Sequence, residues 1–117
     1  MTIERINKGP RMTQAVVHNG VVYISGQVAF DAPYQSIEEQ ARNTLSYIDK
    51  QLAAAGSDKT KLMMANIWLT DIRDYDRFNA VWDEWLDPEN APARATVEAR
   101  LAAPQYNIEI SVIAARE

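Results

Sequence analysis

The chain has 117 residues, 47% of them hydrophobic and 24% charged, with a formal net charge of −4. That length suits one domain with a real core, and residues 1–117 are read as a single domain. The lack of cysteine excludes disulfide staples, thiolate chemistry and cysteine-built zinc sites, and it fits a reducing cytoplasm.

The opening "MTIERINKG" has no long apolar core of the signal-peptide kind, and no apolar run in the chain is long enough to cross a bilayer. No block of lysine and arginine interrupts the acidic balance, which argues against nucleic-acid binding through phosphate neutralisation. After a short strand expected over residues 2–7, "AVVHNGVVYISGQV" (15–28) predicts a β-hairpin. Two β-rich runs meet at Asn19-Gly20, residues that tolerate the positive φ of a type I′ turn. "SIEEQARNTLSYIDKQLAAAG" (36–56) predicts a helix with a capping box at Ser36 and Glu39 and a C-terminal glycine at Gly56. Its apolar stripe is Ile37, Ala41, Leu45, Ile48 and Leu52.

"KLMMANIWLTDI" (61–72) reads as a buried strand. Asp74 is placed to cap a second helix carrying Phe78, Val81, Trp82 and Trp85, with Pro88 ending it. Last come "ARATVEAR" and "NIEISVIAA", read as two alternating strands joined by a tight turn. The order β-β-α-β-α-β-β implies an α+β fold, a sheet with two helices packed on one face. Alternation assigns Ala15, Val17, Val22, Ile24, Met63, Ala65, Ile67, Leu69, Val97, Ile108, Ile110 and Val112 to the helix-covered face.

The opposite face collects Val16, Tyr23, Ser25, Trp68, Arg94, Thr96, Glu98 and Glu109. It is too apolar for water and too charged for a core, so a neighbouring copy of the chain is expected to cover it. Within that face, Arg94 offers a planar fork suited to a carboxylate. Glu109, read as lying on the neighbouring strand, could orient a water or pass a proton. A structural Arg–Glu pair would use the same two residues. The sole histidine, His18, falls at the hairpin tip as a wet turn residue. Neither a metal site nor a phosphate-cradling glycine loop is visible.

"YISGQV", "ARNTLSYIDKQLAAAG", "NAVWDEW", "APARATVE" and "IEISVIAA" resemble, in that order, the signature segments of the reactive intermediate deaminase (RidA/YjgF) family. The resemblance runs over about residues 9–115. It implies a chorismate-mutase-like homotrimer with sites in the clefts between subunits, needing no cofactor or metal. It also implies hydrolytic deamination of reactive 2-enamine and 2-imine acids to 2-keto acids and ammonia. Arg94 matches the arginine that binds the substrate carboxylate, and Glu109 the glutamate that positions the attacking water. Thr96, Ser25, Gly26 and Asn79 match positions lining the pocket. Many members read Gly-Pro-Tyr where this chain has "GPRMTQAV", which puts Arg11 or Met12 at the pocket position of the tyrosine. The alternative reading is a non-catalytic protein that binds or senses small carboxylates such as 2-keto acids in the same cleft. RNA cleavage, also associated with the family, fits poorly with the charge and with His18, and a chaperone-like trimer would not depend on Arg94.

Overall fold

The computed structural model describes residues 2–117. In chain order the elements are β1 (Glu4–Lys8), β2 (Thr13–His18), β3 (Val21–Val28), α1 (Ile37–Ala54), β4 (Leu62–Leu69), α2 (Tyr75–Trp85), β5 (Ala93–Glu98) and β6 (Ile108–Ala115). The six strands form one sheet in the order β1-β2-β3-β6-β4-β5. Every pairing is antiparallel except β4 with β5, which run parallel.

Local chemistry accounts for the element ends. Asn19 (φ 52°) and Gly20 (φ 75°) both take positive φ between the registered residues His18 and Val21, as the hairpin turn requires. Ser36 Oγ accepts the Glu39 N–H at 3.2 Å to start α1, and Gly56 (φ 77°) lies just past its end. Asp74 stands at the start of α2 without a side-chain bond to the helix backbone, and faces Arg77 at 3.5 Å instead. The α1 stripe is buried, as are Phe78, Val81 and Trp82 of α2. Both helices pack with Ala15, Val17, Val22, Ile24, Ala65, Ile67, Leu69, Ile108, Ile110 and Val112 in a single core. Burying each large aliphatic chain there contributes about 1.5–3 kcal/mol.

Three sequence expectations are corrected. First, β5 and β6 are not a hairpin: β4 lies between them, and residues 99–107 cross over its end. Second, the faces of β5 are reversed. Arg94, Thr96 and Glu98 register with the buried Ala65, Ile67 and Leu69, so they share the helix side, whereas Val97 is 50% exposed opposite Trp68. Third, a register shift between Leu62 and Met64 turns Met63 outward and Leu62 inward.

The 99–107 crossover is secured by a polar group inside the core. Gln40 of α1 is fully buried, and its Oε1 accepts the Asn107 N–H at 2.7 Å. Its Nε2 donates to the Gln105 carbonyl at 3.2 Å and to Asn107 Oδ1 at 3.3 Å. Asn107 in turn donates Nδ2 to Thr70 Oγ1 at 2.9 Å. Together these bonds fix the entry into β6, two residues before Glu109.

Candidate functional site

Arg94 sits half-buried on the edge strand β5, against the face of α2 formed by Tyr75, Phe78, Asn79 and Trp82. These are positions i, i+3, i+4 and i+7 of the helix, hence one surface. The guanidinium donates through Nη1 to Asn79 Oδ1 at 2.9 Å and through Nη2 to the Tyr75 hydroxyl at 3.0 Å. Its central carbon lies 5.3 Å from the Trp82 ring centre and 5.7 Å from those of Tyr75 and Phe78. Rings at such distances attract a cation through their negative faces.

Among the described residues no carboxylate comes within ion-pair distance of Arg94. The cation is therefore oriented by neutral groups and keeps its whole charge. Of five N–H donors, two are used among the described residues. Two residues along β5 on the same side, Thr96 carries a buried Oγ1 with no partner. A structural ion pair between Arg94 and Glu109 is ruled out within one chain.

Glu109 occupies a different surface. It registers with Trp68 on β4 and Val28 on β3, on the side of the sheet away from the helices. A bulge between Ile24 and Gln27 holds Ser25 and Gly26, and Gly26 lies against Glu109. A Cβ added to Gly26 would collide with Glu109 Oε2 and stand 2.8 Å from Cδ, so only glycine leaves room for the carboxylate in this pose. Burial pushes the Glu109 carboxyl above the ordinary glutamate range, because the charged form loses hydration. Ser25 Oγ donates to Gln14 Oε1 at 3.1 Å, and Gln27 Nε2 reaches the same oxygen at 2.8 Å, which braces the bulge. Trp68, Arg100, Leu101 and Glu109 line a hollow of about 220 Å³. A larger hollow of about 270 Å³ between α1 and α2 contains neither Arg94 nor Glu109.

The candidate residues therefore divide into two groups. Arg94, Thr96 and Asn79 gather at the β5–α2 edge. Ser25, Gly26 and Glu109 gather on the open face of β3 and β6, with Arg11 and Met12 exposed in the β1–β2 turn at the same half of the sheet. Through the register Arg94–Ala65 and Trp68–Glu109, the Cα atoms of Arg94 and Glu109 are two strands and three residues apart. That is roughly 14 Å, on opposite faces. His18 ends β2, half-buried, with Nδ1 3.2 Å from the Thr2 carbonyl, and belongs to neither group. The sequence reading missed Tyr75, Phe78 and Trp82 as neighbours of Arg94, although their helical spacing with Asn79 marks one aromatic surface.

No helix among the described residues is long and apolar enough to cross a membrane. The family model described as Endoribonuclease L-PSP matches residues 2–116. A RutC family protein of Haemophilus influenzae is 44% identical over 97% of this chain and 98% of its own length. The RutC family protein YoaB of Escherichia coli is 39% identical over 98% of this chain and 99% of its own. A crystal structure of a YjgF family member from Neisseria meningitidis superimposes with a TM-score of 0.95 at 40% identity, covering 100% of this chain and 97% of that one. In sequence over nearly its whole length, and in the order of its strands, the chain belongs to the family known as RidA, YjgF, RutC or L-PSP.

Proposed function

We propose that the protein is a hydrolase of reactive 2-enamine and 2-imine acids, releasing 2-keto acids and ammonia. The observation that carries this reading is Arg94: a cation oriented by Asn79, Tyr75 and three aromatic rings, with no acid to neutralise it. Holding an unpaired guanidinium so firmly is useful when an anion is the missing partner, and a carboxylate matches its fork. Thr96, in line on the same strand face, would border the bound acid.

Glu109 is the group for the water. A carboxylate with a raised pKa is a better base than an ordinary one. It would take a proton as the water oxygen bonds to the C=N carbon. The proton is then available to the nitrogen, the C–N bond breaks, and the keto acid and ammonia leave; C=NH and H2O become C=O and NH3. Because Arg94 and Glu109 lie on opposite faces of one chain, a shared substrate requires Arg94 of one subunit and Glu109 of the next. A homotrimer with three such clefts satisfies this and covers the exposed Tyr23 and Val97 of the open face. Ser25 and Gly26 would line the cleft beside Glu109, with Arg11 or Met12 at its rim.

The test couples the purified protein to a dehydratase that makes 2-iminobutanoate from threonine and follows keto-acid formation. Wild-type protein is expected to accelerate hydrolysis, and Arg94→Ala to lower that acceleration on the order of 100-fold, the worth of a charged hydrogen-bonded anchor. Equal rates with and without wild-type protein would overturn the deaminase reading and leave small-carboxylate binding as its successor. The family description names an endoribonuclease. Against that activity here stand the net charge of −4 and the position of His18 on β2, four strands from β5.

A further inference from the structure

Tyr75 is absorbed neither by the core nor by any ion pair. It is the first residue of α2, 39% exposed, and its hydroxyl oxygen accepts Nη2 of Arg94 at 3.0 Å. Among the described residues nothing accepts the phenolic hydrogen in return. A hydroxyl that accepts from a cation is polarised, and its own O–H becomes a stronger donor. The oxygen is committed to Arg94, so the hydrogen points away from the guanidinium.

We infer that Tyr75 is a substrate-binding residue: its phenol donates to the same carboxylate that Arg94 grips, adding a third donor beside the fork. This rests on the deaminase reading of Arg94 and deepens it. The ring has a second role, since it forms one wall of the aromatic surface 5.7 Å from the guanidinium carbon. Removing the hydroxyl alone separates the two roles. In Tyr75→Phe the wall and its attraction for the cation persist, while the donor and one restraint on Nη2 are lost. Asn79, one turn along, continues to hold Nη1 at 2.9 Å.

The experiment titrates 2-oxobutanoate into wild type, Tyr75→Phe and Arg94→Ala by protein-detected NMR, alongside the imine turnover assay. Tyr75→Phe is expected to weaken 2-oxobutanoate binding about tenfold, one hydrogen bond to a charged group, and to raise KM for the imine by a similar factor with little change in kcat. Replacing Tyr75 with 3,5-difluorotyrosine, whose phenol is a stronger donor and a poorer acceptor, supplies a readout that a purely structural role would not move in the same direction. At a pH where the fluorinated phenol keeps its proton, affinity for 2-oxobutanoate should rise, whereas a hydroxyl that only accepts from Arg94 would brace it less well and affinity would fall. Undiminished binding in Tyr75→Phe, with loss in Arg94→Ala, would overturn the role of Tyr75 and leave the deaminase reading standing. A wild type that neither binds 2-oxobutanoate nor accelerates hydrolysis would overturn both.

Discussion

The neighbourhoods of Arg94 and Glu109 solve opposite problems. Arg94 is held by two hydrogen bonds that it donates to α2, by three rings, and by a strand whose register is set by β4. Glu109 is seated by a void, the missing side chain of Gly26, and no hydrogen bond fixes its carboxylate among the described residues. One charge is oriented before any partner arrives. The other is given room and a reason to hold a proton, and awaits its context. On the proposed function, a pair divided in this way would make assembly a condition of chemistry, each subunit bringing one finished half and one unfinished half.

That contrast can be broken most sharply by complementation. Arg94→Ala and Glu109→Gln chains, each inactive alone, should regain activity when co-expressed with different tags and purified through both. If each cleft takes its arginine from one copy and its glutamate from the next, every mixed trimer holds one intact cleft of three, so the doubly purified sample should regain about one third of the wild-type rate. Persistent inactivity in verified mixed oligomers would show that the two residues do not serve one cleft.

A smaller effect sharpens the Glu109 half. Gly26→Ala places a methyl where the carboxylate lies, and the carboxylate, at the end of a flexible chain, can rotate away. Imine turnover should fall about tenfold or more, while the melting temperature changes little. Loss of stability in parallel with activity would mean that Gly26 serves the bulge and not the carboxylate. Milder for activity is Gln40→Met, which keeps volume but leaves the Asn107 N–H without its partner, while the Gln105 carbonyl keeps only the Tyr34 N–H. A stability loss of about 2–3 kcal/mol is expected by denaturant unfolding, and activity should survive wherever the chain remains folded.

Sequence alone carried the hairpin, both helices and most of the core, because each has a local physical signature. Asn19-Gly20 needs positive φ, Ser36 supplies a cap, and Ile37, Ala41, Leu45, Ile48 and Leu52 recur at helical spacing. It failed at β5. In "ARATVE" the one large apolar residue is Val97, and alternation sent it inward. The aromatic face of α2 welcomes an arginine there instead, a tertiary preference that no strand pattern encodes. The same reading paired β5 with β6 as consecutive neighbours, where the chain inserts β6 between β3 and β4. Arg94 and Glu109 were legible as candidates, but their separation was not: the reversed face of β5 puts them on opposite sides of the sheet, and β4 between β5 and β6 sets them two strands apart.

The position of β6 has a consequence for how the molecule comes together. It is the last of the six strands along the chain, yet it stands in the middle of the sheet, registered with β3 on one side and β4 on the other. Until it docks, β1–β3 and β4–β5 are separate ribbons, each with an open edge available for errant pairing. The contacts that join them span long stretches of chain, so their formation should be slow and should govern the folding rate. Because Glu109 rides on that closing strand, a chain that stalls before closure lacks its acid as well as its architecture.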